Sequence, residues 1–466
     1  MTTEQELPKG WKIERLGDIA ISEKGKKPKN QSSEKTDTYC YPYVDIEAFE
    51  KGVIKSYTDG VKCVLCDEDD FLMVWDGSRS GLVGKGIKGA LGSTLVRISL
   101  PEVSNLYAYY FLLSKYQEIN TRAKGSGTPH VDPDLLWNYA FPIPPNLETQ
   151  QAIVNKIESL FDEIDEGIGR LKTAAQQIQQ YRQSLLKNAF NGELTKEWRS
   201  KHEDTLPSEN ELLAQIQTTR EQHHVQQLAD WQTAVSQWEQ NGKEGKKTSK
   251  PKAPTQAVKF EENVADLPTG WGTVRLENLA SEYVLGKMLD KNKNKGEERP
   301  YLGNINVRWG YFEFSNAKTM KIEDDEIERY SVKYGDLIIC EGGEPGRCAV
   351  WKHEAEMFIQ KALHRVRFPS YYSADFAFYY LSYAVKLPLV TDLLTGTTIK
   401  HLTGTALKNI PFPVCSISEQ AQIVAILESK LTACDQLAAE LTKQLKQAEL
   451  LKQAVLKAAF SGELRE

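Results

Sequence analysis

Long apolar runs are absent from this sequence, and cysteine is scarce. No stretch of about 18 consecutive apolar residues occurs, and the mean hydropathy is -0.48, which argues against a membrane-spanning helix. The first residues lack the basic-then-apolar layout of a secretory signal, and the seven cysteines are an odd number scattered over both halves. These features favour a cytoplasmic protein in a reducing compartment over a disulfide framework.

Sequence signatures of catalysis are also missing. No GxxxxGK[ST] phosphate loop occurs, and "GKGIKG" at 84–89 is followed by the strand-like "STLVRIS" instead of a helix that could bind a pyrophosphate. Cys63 and Cys66 form a single CxxC without a second pair at zinc spacing, so two small core residues are the favoured interpretation. His130 and His401 lie in corresponding loops without a repeated nucleophile or carboxylate beside them. The sequence therefore predicts no active site, cofactor or metal site in this chain.

A strong positive charge is lacking as well. The formal net charge is -6, and residues 1–146 and 266–415 are each close to neutral. Attraction of nucleic acid by the whole surface is therefore disfavoured. Any DNA contact must use Lys, Arg and hydroxyl side chains clustered on one face.

What the sequence does contain is a long internal repeat. "LPKGWKIERLGDIA" at 7–20 returns as "LPTGWGTVRLENLA" at 267–280, and "LKNAFNGEL" at 186–194 returns as "LKAAFSGEL" at 456–464. The offset grows from 260 to 270, so the second copy has about ten extra residues in its loops. Two long copies are too few for a solenoid and indicate a pseudo-twofold molecule made of two similar modules.

Each module ends in a long segment of good helix formers with apolar residues every seven positions. This spacing predicts two long helices that pack through a coiled-coil seam. The predicted seam residues are Ile157, Phe161, Ile164, Ile168, Leu171, Ile178, Leu185, Leu427, Leu431, Cys434, Leu441, Leu445 and Val455. Arg182 and Lys452 interrupt the two seams at the same repeat position, which predicts exposure there.

The direction of pairing is expected to be antiparallel. The first helix leaves the first globular region and ends where the second region can begin, and the second helix can then run back. A parallel pair remains the alternative, because the 191–266 connector is long enough to supply a return path. Within this connector, 208–240 is predicted to be a helix capped by Ser208 with Glu211 three residues on, and 241–255 is predicted to be a mobile linker rich in Gly, Lys and Pro.

Three motifs, each present twice, carry a family resemblance. The "LPxGWxxxxL" opening, the entry to the long helix ("QQAIVNKIES" at 150–159 and "EQAQIVAILES" at 419–429) and the "AFxGEL" exit resemble the specificity subunit of type I restriction-modification systems over almost the whole chain. The resemblance implies two α+β target recognition domains and an antiparallel helical spacer. It also implies a subunit that is not an enzyme and holds two methyltransferase subunits, and through them restriction subunits, on an asymmetric two-part site in double-stranded DNA. S-adenosylmethionine would belong to the methyltransferase, and ATP and magnesium to the restriction subunit.

The expected organisation has five parts. They are an N-terminal target recognition domain at 1–147, the first spacer helix at 148–192, a helical insert with a flexible linker at 193–265, a C-terminal target recognition domain at 266–416 and the second spacer helix at 417–466. Strand-like runs such as "DFLMVWDG" and "GDLIICEGG", with one helix after them, support an α+β fold for both domains. The role of the insert is open, and extra contact with the methyltransferase is a hypothesis.

Contact residues can only be nominated by chemistry. Base edges and phosphates are contacted by Arg, Lys, hydroxyl and His side chains. The candidates are Arg79, Ser80, Lys85, Lys88, Lys124, Ser126, Thr128, His130, Arg347, Lys361, His364, Thr397, Lys400 and His401. Phe190 and Phe460, in the repeated exit motif, are predicted to be the apolar tips of two partner-docking surfaces, although the motif could instead simply end a helix through its glycine.

Two other functional classes remain open at this stage. One is a self-sufficient nuclease or methyltransferase, against which the missing cofactor loop argues. The other is a scaffold that binds two proteins and no nucleic acid, which the near-neutral domains keep possible. Binding to DNA in the presence of a methyltransferase partner separates these classes.

Overall fold

The computed structural model describes residues 7–244, 247–256, 259, 267–290, 293–397 and 400–464. The chain forms two compact units. Unit 1 comprises Met1–Ala175 with Ala439–Glu466, and unit 2 comprises Gln176–Ala438. Both boundaries fall inside the two long helices, so each unit contains one globular region and a part of each long helix. The five-part division predicted from the sequence places its boundaries at the helix ends instead, and it stays a prediction.

Unit 1 is built on a four-stranded antiparallel sheet of order β2-β10-β7-β8. A second sheet has the order β3-β5-β4-β9-β6, and β1 pairs with β11. The strands are β1 (Lys12–Arg15), β2 (Ile21–Lys24), β3 (Gln31–Ser32), β4 (Tyr41–Val44), β5 (Tyr57–Thr58), β6 (Leu65–Cys66), β7 (Phe71–Val74), β8 (Val83–Lys85), β9 (Gly89–Leu91), β10 (Leu95–Ser99) and β11 (Ala140–Ile143). The helices are α1 (Leu16–Ile19), α2 (Ile46–Lys51), α3 (Asn105–Thr121), α4 (Pro133–Trp137) and the long α5 (Leu147–Phe190). All four residues of β7 are buried, which explains why its sequence is continuously apolar.

Unit 2 repeats this plan with the sheet β13-β21-β18-β19. Its smaller sheets are β17-β14-β20, β15-β16 and β12-β22. The strands are β12 (Gly272–Arg275), β13 (Glu282–Leu285), β14 (Glu297–Leu302), β15 (Val307–Arg308), β16 (Tyr311–Phe312), β17 (Lys318–Ile322), β18 (Leu337–Cys340), β19 (Cys348–Val350), β20 (Phe358–Ile359), β21 (Leu363–Arg367) and β22 (Pro411–Val414). The helices are α6 (Lys196–Lys201), α7 (Glu209–Gln240), α8 (Leu276–Leu279), α9 (Ile327–Tyr330), α10 (Ala374–Ala384), α11 (Pro388–Thr391), α12 (Gly404–Asn409) and the long α13 (Ile417–Phe460). Pro388 separates α10 from α11, because a proline disfavours helix in the residue before it.

The long helices α5 and α13 run antiparallel, as predicted. Lys452 bonds to Asp165 at 2.6 Å in unit 1, and Arg182 pairs with Asp435 in unit 2, so the partner number falls as the α5 number rises. All predicted seam residues are buried or half-buried. The expected exposure of Arg182 and Lys452 is wrong: their side chains are 23% and 25% exposed, because each bonds a carboxylate of the other helix.

The repeated exit motif closes each unit against the repeated opening motif. In unit 2, Gly192 has a φ of +79° and a Cβ there would lie 2.0 Å from Pro268. In unit 1, Gly462 has a φ of +76° and a Cβ would lie 2.3 Å from Pro8. Only glycine fits both positions, since the backbone is left-handed and the proline ring is in contact. The exit of each sequence module therefore completes the globular unit that contains the opening of the other.

The central sheet of each unit also contains a buried or half-buried ion pair. In unit 1, Arg97 lies 3.5 Å from Asp70. In unit 2, Asp336 is fully buried and accepts bonds of 2.7 and 2.8 Å from Arg367, while Arg365, 1% exposed, bonds Glu282 at 2.6 Å. Buried charges persist in folded proteins only when they are paired in this way.

The insert between the modules packs on unit 2. The predicted capping box is confirmed, since Ser208 and Glu211 bond each other's backbone amides at the start of α7. The linker is less free than predicted in its described part: Trp231 donates to the carbonyl of Thr248 at 3.0 Å, and Arg220 bonds the carbonyl of Thr255. Residues 247–256 therefore return along α7 in the opposite direction.

Among the described residues, no helix is both long enough and apolar enough to span a membrane.

Candidate nucleic-acid interface

In unit 1 several polar loops leave the same edge of the central sheet. Strand β2 ends, β10 begins, β7 ends and β8 begins at this edge, because Lys24 pairs with Val96 and Val74 pairs with Leu95. The loops that start there are 25–30, 75–82 and 92–94, and loop 124–130 joins them. We call these four segments the loop edge of unit 1.

Backbone hydrogen bonds fix these loops to one another. Trp75 N–H donates to Thr94 at 2.8 Å, Gly77 N–H donates to Pro129 at 2.7 Å and Val131 N–H donates to Trp75 at 2.9 Å. Each bond joins two different loops, so the loop edge has a defined shape. A rigid set of loops on a sheet is a common support for binding side chains.

Unit 2 has the same arrangement. Its loop edge comprises the described parts of 286–296, then 341–347, 360–362 and the described parts of 395–401. Glu341 N–H donates to Ala362 at 2.9 Å, as Trp75 does to Thr94, and Leu402 N–H donates to Glu341 at 2.7 Å, as Val131 does to Trp75. Two units that differ in sequence therefore repeat one loop geometry.

The structure brings together most of the nominated side chains of unit 1. Arg79, Lys124, Ser126, Thr128 and His130 all lie on the loop edge, and all are exposed except the half-buried His130. Arg79 pairs with Glu50 of α2 at 2.9 Å, and Lys124 pairs with Asp132 at 2.7 Å, which raises the pKa of Lys124.

Three nominated residues of unit 1 are not exposed on the loop edge. Ser80 is fully buried, and its carbonyl accepts a bond of 3.0 Å from Asn120 of α3, so it anchors the turn and cannot contact DNA directly. Lys85 is the last residue of β8 and Lys88 follows it, so both lie at the end of the β7–β8 hairpin opposite the loop edge. Ser80 and Lys85 are close in sequence, but β8 separates them because Lys85 lies at its other end.

In unit 2, exposed Lys361, Thr397, Lys400 and His401 lie on the loop edge together with Arg347. Arg347 is only 15% exposed, because it donates to the carbonyl of Asn304 at 2.9 Å and to Glu344 at 3.1 Å. Its guanidinium therefore braces the loop.

His364 is the clearest error among the nominated residues. It is 1% exposed and its Nδ1 lies 2.7 Å from the hydroxyl of Tyr283. His364 is buried because β21 is one of the two inner strands of the sheet, and four of the five residues of this strand are buried. The buried ring packs beneath the surface of the unit and is not exposed for contact with DNA.

Each loop edge also presents exposed lysines that were not among the predicted contact residues. Lys26, Lys27 and Lys29 are exposed on loop 25–30, and Lys293 and Lys295 are exposed on the corresponding loop of unit 2. Both loops follow a glycine whose added Cβ would lie 2.2 Å (Gly25) or 2.4 Å (Gly286) from a backbone oxygen. In the sequence, these loops could have been recognised by the lysine-rich runs "KGKKPK" at 24–29 and "KNKNK" at 291–295.

Lys287, the first residue after Gly286, is an exception to this exposure. It is 5% exposed and pairs with both Glu323 and Glu326. Hydrogen bonds from Glu326 and Lys287 lower the pKa of Glu323 to about 2. The base of this loop is therefore attached to the sheet that contains β14 and β17.

A second repeated feature lies beside the exit motifs. Unit 1 has a cleft of about 570 Å³ and unit 2 one of about 490 Å³. Corresponding residues line both clefts: Leu7 and Leu267, Ile13 and Thr273, Phe111 and Tyr380, Pro142 and Pro413, Lys457 and Lys187, Phe460 and Phe190. We call these the exit clefts.

The rings nominated as docking tips lie mainly in the chain's own core. Phe190 is 3% exposed and its ring centroid lies 5.4 Å from that of Phe376 and 5.1 Å from that of Tyr380. Phe460 is half-buried and lies 5.1 Å from Tyr107. Neither ring projects as a tip, because each closes a core and only borders its cleft.

Within the described residues, no group of three or more His, Cys, Asp or Glu side chains could bind a metal ion. Cys66 is buried and its thiol donates to the carbonyl of Ile87 at 3.0 Å. Of the glycines of "GKGIKG", Gly84 lies in β8, Gly86 lies between the strands and Gly89 begins β9, so strands flank this segment on both sides.

Acid is expected to destabilise unit 2 through His364. Burial lowers the pKa of His364 from 6.5 to about 4, so the folded unit keeps the ring neutral while the unfolded chain binds a proton below pH 6.5. Stability from this group is therefore complete above pH 6.5 and is lost progressively down to pH 4, by about 3 kcal/mol in total. Urea unfolding of wild type and His364→Gln at pH 7 and pH 4.5 measures the difference.

Wild type and His364→Gln have the same carboxylates, so the carboxylate contribution to the pH dependence of stability cancels when the two proteins are compared. His401→Gln, an exposed change in the same unit, is the matched control and should keep the wild-type pH dependence. An unchanged pH dependence in His364→Gln would contradict the assignment.

Comparison with known proteins gives consistent results. The family model described as "Type I restriction modification DNA specificity domain" matches residues 8–172 and again 268–447. The MjaVIII specificity subunit of Methanocaldococcus jannaschii is 33% identical over 187 residues, which cover 40% of this chain and 43% of that relative. The EcoDI specificity subunit of Escherichia coli is 22% identical over 460 residues, covering 98% and 89%.

A solved structure agrees with the fold. A chain from a study of complex assembly and conformational transition of the type I R-M system has a TM-score of 0.67 at 18% identity, covering 98% of this chain and all of that one. The chain spans less than half of the length of the M. jannaschii relative.

Proposed function

The chain belongs to the type I restriction modification DNA specificity family, and from this premise we propose that it is the DNA-recognition subunit of such a system. Each unit reads one part of an asymmetric two-part site in double-stranded DNA through its loop edge. The chain itself carries out no chemistry. Methyl transfer belongs to methyltransferase subunits with S-adenosylmethionine, and cleavage to restriction subunits with ATP and magnesium.

One observation carries this proposal. Each unit presents exposed lysines at the equivalent edge of its own four-stranded sheet. In both units the loops at this edge are joined by equivalent backbone hydrogen bonds. Exposed lysines supply phosphate contacts, and fixed polar side chains between them can reach base edges. The two loop edges differ in sequence, which suits two different half-sites.

The exit clefts support docking of two methyltransferase subunits per chain. They are lined by corresponding residues and each offers apolar surface beside an exposed lysine, Lys187 or Lys457. Two equivalent surfaces on one chain suit two copies of one partner. The proposed docking surface is thus the cleft, and Phe190 and Phe460 contribute to it as part of its wall.

A scaffold without nucleic acid is the main alternative, and phosphate binding separates it from recognition. The complex of this chain with its methyltransferase partner should bind duplexes that carry the motif methylated in the host. Changing Lys26, Lys27 and Lys29 together to Gln should weaken binding to motif and scrambled duplexes equally. The slope of log K against log salt should fall by about 0.9 for each lost phosphate contact.

The matched control is a triple Gln change of Lys9, Lys12 and Lys156, which are exposed in the same unit but away from the loop edge. It should leave the slope at the wild-type value. Complexes that do not bind DNA at all would support the scaffold, and an unchanged slope in the Lys26, Lys27 and Lys29 variant would remove loop 25–30 from the interface.

A further inference from the structure

The two units carry opposite charges at one equivalent position of the loop edge. In unit 1 the turn between β7 and β8 presents Arg79, and in unit 2 the turn between β18 and β19 presents Glu344. The side chains are 57% and 54% exposed. Nearest neighbours in sequence do not reveal this equivalence, because the second turn is one residue shorter.

Backbone hydrogen bonds establish the equivalence. Leu82 N–H donates to the carbonyl of Arg79 at 3.0 Å, and Arg347 N–H donates to the carbonyl of Glu344 at 3.1 Å. Two residues after each charged residue comes a left-handed glycine, Gly81 with φ +91° and Gly346 with φ +86°. Arg79 and Glu344 therefore occupy the same place in the same kind of turn.

Each side chain is held by its own unit and retains free bonding capacity. Arg79 uses one nitrogen to pair with Glu50 at 2.9 Å, which leaves most of its five N–H donors available. Glu344 accepts from Trp309 at 2.6 Å and from Arg347 at 3.1 Å, one bond to each oxygen. Since a carboxylate has about four acceptor positions, about two remain open.

Opposite bonding capacity selects opposite bases. An arginine fork matches O6 and N7 of guanine, and a carboxylate accepts from the N4 amino group of cytosine. We propose that Arg79 and Glu344 determine the base at equivalent positions of the two half-sites, with Arg79 selecting guanine and Glu344 selecting cytosine. This assignment rests on the proposed function and names the residues that set its specificity.

The test maps methylated motifs by long-read sequencing in hosts whose chromosomal copy carries one change. Arg79→Gln should relax the requirement for guanine at one position of one half-site. Glu344→Gln should relax the requirement for cytosine at one position of the other half-site. The rest of each motif should remain, and in binding assays with the assembled complex the discrimination at that base should fall about 10- to 100-fold.

The matched controls remove the same kinds of charge from side chains that lie off the loop edge. Arg170→Gln and Glu356→Gln alter side chains that are 73% and 56% exposed and lie off the loop edge, and both should leave the motif unchanged. Arg79→Lys keeps the charge but not the fork, so it should also relax the guanine. If a Gln variant methylates nothing, selection of randomised duplexes by its assembled complex gives the same answer without catalysis.

The outcomes separate this assignment from the proposed function. A wild-type host without a two-part motif that depends on this chain would overturn both. A wild-type motif that persists unchanged in Arg79→Gln and Glu344→Gln would overturn only the assignment. Relaxation at positions other than guanine and cytosine would likewise overturn it.

Discussion

Asp336→Ala is expected to destabilise unit 2 by about 3–5 kcal/mol, because it breaks an ion pair by removing a fully buried carboxylate, although Glu282 still pairs with both neighbouring arginines. Asp336 is fully buried, accepts two bonds from Arg367 and caps the backbone of Lys333 at 2.7 Å. Arg365, 1% exposed, lies beside this group and has little access to water as a substitute. Hydrogen exchange of peptides from β18 and β21 measures the loss within unit 2.

Two further variants test whether the loss of stability depends on burial of the carboxylate. Asp325→Ala removes an exposed carboxylate from the same unit and should leave exchange unchanged. Asp70→Ala removes the corresponding partner of Arg97 in unit 1, where both side chains are partly exposed, so the loss should be much smaller. Equal effects of Asp336→Ala and Asp325→Ala would contradict the role of the buried pair. DNA binding by unit 2 should decline with its stability, since the sheet positions its loop edge.

Phe190→Ala is expected to destabilise unit 2 of the free chain by about 3–5 kcal/mol, the usual cost of removing a buried phenyl ring. The ring lies among Phe376, Tyr380 and Tyr383, and Ala189 beside it is fully buried, so the vacated space has little means of closing. Urea unfolding of the free chain, followed by exchange of peptides from α10, measures the change.

This result distinguishes a core residue from a partner contact. A side chain that only binds a partner would leave the free chain as stable as wild type and weaken complex assembly alone. Tyr181→Ala is the matched control, because Tyr181 lies on the same helix, in the same unit, and is 46% exposed. Phe460→Ala should weaken unit 1 in the same way but to a smaller extent, since its ring is only half-buried.

At the candidate site, sequence patterns indicated which residue types could bind DNA but not which of these side chains are exposed. Arg79, Lys124 and His130 were nominated because turn chemistry and charge are local properties; they lie on the loop edge, and their contact with DNA stays a prediction. His364 and Ser80 were nominated by the same chemistry and proved buried, since sequence gives residue type but not the face of a strand or turn. Lys26 and Lys27 were missed because their loop is far in sequence from the others and joins them only through strand pairing.

The repeat, the α+β class of the modules, the two long helices and their seam could be predicted from the amino-acid sequence, because they follow from local periodicity and self-similarity. The residue types available for contacts with phosphates and bases could also be read there. Three further properties became visible only in the folded chain: the exit of each module closes the other's globular unit, several candidate side chains are buried, and Arg79 corresponds to Glu344. These properties depend on contacts between distant segments, and such contacts are fixed by packing and backbone pairing that no single stretch of sequence specifies.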